Sequence, residues 1–177
     1  LNNFTEYTEL MDKSFGKEIV SQLEIMWEYK GVALKSKLDF IVIDFQNKTI
    51  QPIDVKTIGD STSSFVYSFW KRRYDFQAAC YTKALEYWVQ LEENLKQFKG
   101  FKILPFKFVV ESSKYQGSPL IFHLSEETFN IGLQGGNVEG RHYEGFEQAL
   151  ERLKWHLDSN IWDYTREQWE VNKTILI

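Results

Sequence analysis

The chain has 177 residues, a formal net charge of −4, 43% hydrophobic and 16% aromatic content, and one cysteine. That composition excludes a disordered chain, a disulfide framework and a surface that attracts nucleic acid everywhere, while leaving room for a local basic groove. No run approaches the roughly 18 apolar residues of a membrane helix, and no signal peptide opens the chain. The expectation is a single cytoplasmic domain over residues 1–177 with no membrane partner, and a first residue of Leu rather than Met fits a segment of a longer protein. In such a setting the sequons at Asn3, Asn47 and Asn172 are chance occurrences.

Phe4, Tyr7, Leu10 and Met11, at spacings of three and four, predict a helix over Asn3–Phe15 that Gly16 ends. β-Formers from Ile19 to Trp27 predict a strand, Glu28–Gly31 a hairpin turn, and Val32–Asp44 a long second strand. A turn over Asp44–Lys48 leads to a third strand, Thr49–Thr57, and the short loops make the three a largely antiparallel meander. The small, polar Ile58–Ser64 reads as a mobile loop.

One long helix is predicted from Phe69 to Phe98, on an apolar stripe that includes Tyr74, Ala78, Tyr81, Leu85, Trp88, Leu91, Leu95 and Phe98. Ile103–Glu111 follows as a fourth strand, parallel to the third because strand–helix–strand crossovers are right-handed. Leu120–Leu124 is an edge strand and Gly132–Gly140 a loop. Tyr143–Asp158 is a second helix with Phe146, Leu150, Leu153 and Leu157 inward, and Trp162 and Trp169 pin the tail. The sum is an α/β sandwich around a small mixed sheet.

Within the third strand Asp54 and Lys56 are two apart, so the pleat puts them on one face, with Ile53 and Val55 on the other. Burying unpaired charge in an apolar strand is costly. Two arrangements relieve the cost. One is a divalent metal held by Asp39 and Asp54 with Lys56 aimed at the same point; the other is a plain salt bridge among strand-end residues.

Asp39, then Asp54-Val55-Lys56, then Gln77-Ala-Ala-Cys-Tyr81, in that order on those elements, resemble the PD-(D/E)xK nuclease superfamily. They look most like its phage-type exonuclease branch, which includes exodeoxyribonuclease VIII and lambda exonuclease, over roughly Leu23 to Tyr81. The resemblance implies a restriction-endonuclease-like α-β-β-β-α-β core. It also implies Mg²⁺ or Mn²⁺ on Asp39, Asp54 and the Val55 carbonyl, Lys56 orienting the attacking water, and Gln77 and Tyr81 bracing the site. The implied substrate is linear duplex DNA attacked from its ends, with a recombinase partner and a homo-oligomer as further implications. The superfamily also carries a metal-binding His or Glu upstream of the first strand. No Gly-x-x-x-His precedes Asp39, and Glu9, Glu18 and Glu24 are available; Glu24, the candidate carried forward, equally suits a pairing with Lys35 across the hairpin. The missing ligand could also lie ahead of Leu1.

Lys71-Arg72-Arg73, expected at a helix start, would hold backbone phosphate or simply be a solvated end. Phe65, Tyr67, Phe69 and Trp70 beside them are either stacking surfaces for bases or core. Cys80 reads as a packed thiol, and His123, His142 and His156 are too far apart for a local zinc motif. No phosphate-binding glycine loop supports use of ATP or a dinucleotide. Three functions follow: an exonuclease, an endonuclease or repair nuclease of the same superfamily, or a DNA-binding scaffold without catalysis.

Overall fold

Three paired strands set the frame. The computed structural model describes residues 8–12, 16–115, 117, 119–171 and 173. Strands β1 (Lys17–Tyr29) and β2 (Val32–Asp44) form a long antiparallel hairpin. Lys30 and Gly31 connect them with φ of 50° and 78°, the two left-handed residues that a type I′ turn needs. Asp44 accepts the Asn47 N–H at 2.8 Å to turn the chain into β3 (Thr49–Ile58), antiparallel to β2. Of the expected first helix, residues 8–10 are helical, while residues 3–7 and 13–15 lie outside the described residues.

After a 3₁₀ turn at Thr62–Ser64 come helices α1 (Phe65–Lys71), α2 (Tyr74–Gln90) and α3 (Glu92–Leu95). Strands β4 (Lys102–Ile103) and β5 (Lys107–Ser112) both run parallel to β3, and β6 (Leu120–His123) pairs antiparallel with β5 at the sheet edge. The order across the sheet is β1-β2-β3-β5-β6, with β4 also on β3. Helix α4 (Glu126–Gln134), a hairpin of β7 (Gly136–Val138) and β8 (Arg141–Tyr143), and helices α5 (Phe146–Ser159) and α6 (Arg166–Glu170) complete the chain. A mixed sheet flanked by helices is thus the architecture, as the pattern of elements predicts.

Helices α2, α4 and α5 bring Leu85, Leu133, Phe146 and Leu150 onto one face of the sheet, against Ile25, Trp27, Leu38, Ile41 and Ile43. A neighbouring cluster packs α1 through Phe65 and Phe69 onto Phe106, Phe108 and Val110. The opposite face holds Val42, Ile53 and Val109, with Leu10 and Met11 packed against them.

The long helix is broken twice. Arg73 takes a left-handed φ of 56°, held by a two-pronged bond from its guanidinium to the fully buried Asp75, both arms at 3.0 Å. Leu91 leaves the helix with ψ of 142°, and Asn94 Nδ2 caps the released Trp88 carbonyl at 2.9 Å. The fourth strand is split because Pro105 has no N–H to offer; the buried Gln51 amide bridges the gap, donating to the carbonyls of Pro52 and Pro105 at 3.0 and 2.7 Å. The Gly132–Gly140 stretch is no simple loop. Gly132 lies inside α4, where a Cβ would stand 2.2 Å from the Asp75 carbonyl oxygen, and residues 136–143 are mostly the β7–β8 hairpin. Leu157 and Trp162 are open to solvent at 53% and 57% exposure, so neither serves the core; Trp162 instead stacks on His156.

Candidate active site

The β2–β3 ladder ends at the Phe40–Ile53 pair, and beyond it the strands part. Asp39 and Asp54 stand at that fork. In place of the next ladder bond, the Asp39 carboxylate accepts the Val55 N–H at 3.1 Å. Asp54 points the other way from Ile53 and Val55, onto the face that α2 covers, and is 2% exposed.

Gln77, one turn into α2, reaches down to this face. Its Nε2 donates to Asp54 Oδ1 at 3.1 Å and its Oε1 accepts from Lys56 Nζ at 3.1 Å, so only one orientation of the amide satisfies both partners. Lys56 Nζ also lies 2.6 Å from Asp54 Oδ2 and 4.4 Å from the centre of the Tyr74 ring. That 2.6 Å contact is a buried salt bridge, and among the described residues no other donor reaches Oδ2. Burial pushes the Asp54 carboxyl above its ordinary pKa; Lys56 pulls the other way, and the negative charge of Asp39 adds a smaller push.

Two carboxylates side by side, Asp39 and the buried Asp54 that is neutralised on Oδ2 by Lys56 alone, offer the oxygen donors that a hard divalent cation takes. Among the described residues no group of three or more His, Cys, Asp or Glu side chains is assembled for a metal. Glu24 pairs with Lys35 and Lys37 at 2.9 and 3.2 Å on the exposed side of the hairpin, and the Lys35 bond foremost holds its pKa down.

The chain shares its fold with a candidate exonuclease from Eubacterium rectale. That crystal structure matches 99% of this chain with a TM-score of 0.51 and 16% sequence identity, a likeness of fold alone. The chain spans 60% of that protein's length. No family model and no curated protein matches the sequence.

On this fold, Asp39, Asp54, Val55, Lys56 and Gln77 converge. Tyr81 does not join them: it packs against Phe106 in the core, and its hydroxyl makes no hydrogen bond among the described residues. The ring that meets Lys56 belongs to Tyr74, three residues before Gln77 and therefore on the same helix face. Helical spacing could have found it. The basic triplet spans the junction of two helices: Lys71 ends α1 and Arg73 is the N-cap of α2. Lys71 and Arg72 are exposed, whereas Arg73 is spent on Asp75 and the Glu144 carbonyl. Of the four neighbouring aromatics, Phe65 and Phe69 are core, Trp70 packs on Tyr143, and Tyr67 is open at 72% exposure.

Proposed function

We propose that the chain is a divalent-cation-dependent deoxyribonuclease, and within that class an exonuclease that degrades linear duplex DNA from its ends in phage-type recombination. The observation that carries this reading is the buried Asp54 at the fork of β2 and β3, beside Asp39 and gripped by Lys56 and Gln77. The exonuclease mode is supported by the resemblance in Asp39, Asp54-Val55-Lys56 and Gln77, and by the description of the Eubacterium rectale neighbour. A cytoplasmic setting, a recombinase partner and a homo-oligomer belong to the same proposal.

In this reading Asp39, Asp54 and the Val55 carbonyl hold Mg²⁺ or Mn²⁺. The cation supplies Lewis-acid stabilisation of the scissile phosphate and a more acidic water. Lys56 offsets charge on the phosphate and orients the attacking water. Gln77, bonded to both Asp54 and Lys56, holds this ion pair in place. Lys71 and Arg72 contact backbone phosphate, and Tyr81 supports α2 from behind.

The test compares linear with covalently closed duplex DNA in Mg²⁺, for the chain and for Lys56→Ala. Loss of the linear form alone, slowed about a hundredfold or more by the substitution, is expected for a charge that acts on the transition state. Cutting of both forms would indicate an endonuclease. Cutting of neither, in a chain extended ahead of Leu1, would leave a DNA-binding domain.

A further inference from the structure

Strands β1 and β2 keep one register along their whole length, from Lys17 opposite Asp44 to Tyr29 opposite Val32. A single position interrupts the ladder. Between the pairs Ser21–Phe40 and Leu23–Leu38 stand one residue on each strand, Gln22 and Asp39, with no insertion on either side. Gln22 there has a φ of 54°, a left-handed backbone in mid-strand on a residue that carries a Cβ.

The in–out alternation inverts across this position on both strands at once. On β1, Leu23, Ile25 and Trp27 face the helix-covered core, yet on the near side it is Val20 that does so, and Ile19 turns to the opposite face. On β2, Leu38 faces the helices, then Ile41 and Ile43 do, while Phe40 and Val42 turn away. A regular strand would keep one parity. The inversion frees Gln22 and Asp39 from both faces, and their side chains meet each other. Gln22 Nε2 donates to Asp39 Oδ1 at 3.4 Å while the Val55 N–H holds Oδ2 at 3.1 Å.

We propose that Gln22 is a positioning residue for Asp39: its left-handed backbone aims the amide at Oδ1 and so fixes the plane of the carboxylate that faces the cation. This rests on the metal-dependent reading above. Strain in a non-glycine residue persists only where the surroundings impose it, and here it coincides with a candidate ligand. Partners behind a metal ligand set its orientation, and their loss typically weakens metal binding about 10- to 100-fold.

Gln22→Gly separates the two parts of the proposal, since glycine accepts the left-handed backbone but deletes the amide. The probe is Mn²⁺, titrated into the intact chain and read by the electron paramagnetic resonance of the free ion, with Asp39→Asn as control and the thermal midpoint measured alongside. Expected is a midpoint equal to or above that of the parent, with Mn²⁺ bound about tenfold or more weakly. Parent-like Mn²⁺ binding by Gln22→Gly would overturn the proposal and leave the metal reading standing. A lower midpoint would also overturn it, by showing that the side chain serves the fold. If the parent binds Mn²⁺ no better than Asp39→Asn does, the metal reading itself falls and takes this proposal with it.

Discussion

Lys56 is held from three sides, by Asp54 Oδ2 at 2.6 Å, Gln77 Oε1 at 3.1 Å and the face of Tyr74 at 4.4 Å. A partly desolvated contact of a cation with an aromatic face contributes about 0.5–2 kcal/mol, enough to choose among lysine rotamers. Tyr74→Phe, which keeps the ring, is expected to cut DNA within about twofold of the parent rate; Tyr74→Leu, which removes it, should lose about tenfold, since about 1.4 kcal/mol is a factor of ten. A parent-like rate for the leucine variant would refute the role of the ring. Asp54 and Lys56 are legible in the sequence because a period of two and the resemblance point to the same residues, whereas Gln77 is reached through the resemblance alone. Gln22 is not legible there. A left-handed residue costs about 1–2 kcal/mol and leaves no mark in composition or spacing when it is not glycine. Tyr81 lies on the same helix as Gln77 but one turn further on, where it packs against the apolar core rather than beside Asp54 and Lys56.

Helix α2 sits where it does because α4 presses against it at Gly132. A Cβ at that position would stand 2.2 Å from the Asp75 carbonyl oxygen and 2.4 Å from its carbon, backbone atoms that cannot swing aside. Gly132→Ala is therefore expected to cost about 1–3 kcal/mol or more, measured by urea denaturation, and to slow DNA cutting by shifting the helix that carries Gln77. The far end of the β1–β2 hairpin is tied to α5 by Tyr29, whose hydroxyl donates to Glu147 Oε1 at 2.6 Å. Burial first, and then Glu147, raise the Tyr29 pKa from 10.0 to about 12, and the Tyr29 hydroxyl foremost lowers that of Glu147. The signs give a window. The stability from the raised tyrosine is complete below pH 10.0 and lost as pH climbs through about 12, while that from the lowered glutamate is lost as pH falls through its folded value. Tyr29→Phe should cost about 1 kcal/mol at pH 7, and the gap to the parent should shrink towards both extremes. The strands were readable from their alternation, but the break at Arg73 was not, because it depends on a bond to the buried Asp75 that no local rule supplies. Helix α4 does carry a local signal, for Ser125 accepts the Thr128 N–H at 3.1 Å as an N-cap ahead of two glutamates.

At the scale of the whole molecule, a net charge of −4 offers no general attraction for DNA, so the proposed site must draw its substrate locally. Without a divalent cation, Asp39 and Asp54 would repel a phosphate. Chelation by EDTA is expected to weaken duplex binding about tenfold or more, followed by fluorescence anisotropy at fixed ionic strength, and equal binding with and without chelator would contradict the metal's place at the site. The layered fold itself was open to sequence reasoning because helix and strand periods alternate cleanly from β1 to β5. The β7–β8 hairpin was hidden among glycines that read equally well as loop. The Val55 N–H is bonded to the Asp39 carboxylate in place of a β2 backbone carbonyl. Any change in that carboxylate's charge, ligation or orientation must move the proton it holds, so the Val55 cross-peak in the ¹H–¹⁵N spectrum of the ¹⁵N-enriched chain is a native sensor of the site that needs no attached reporter, substrate or turnover.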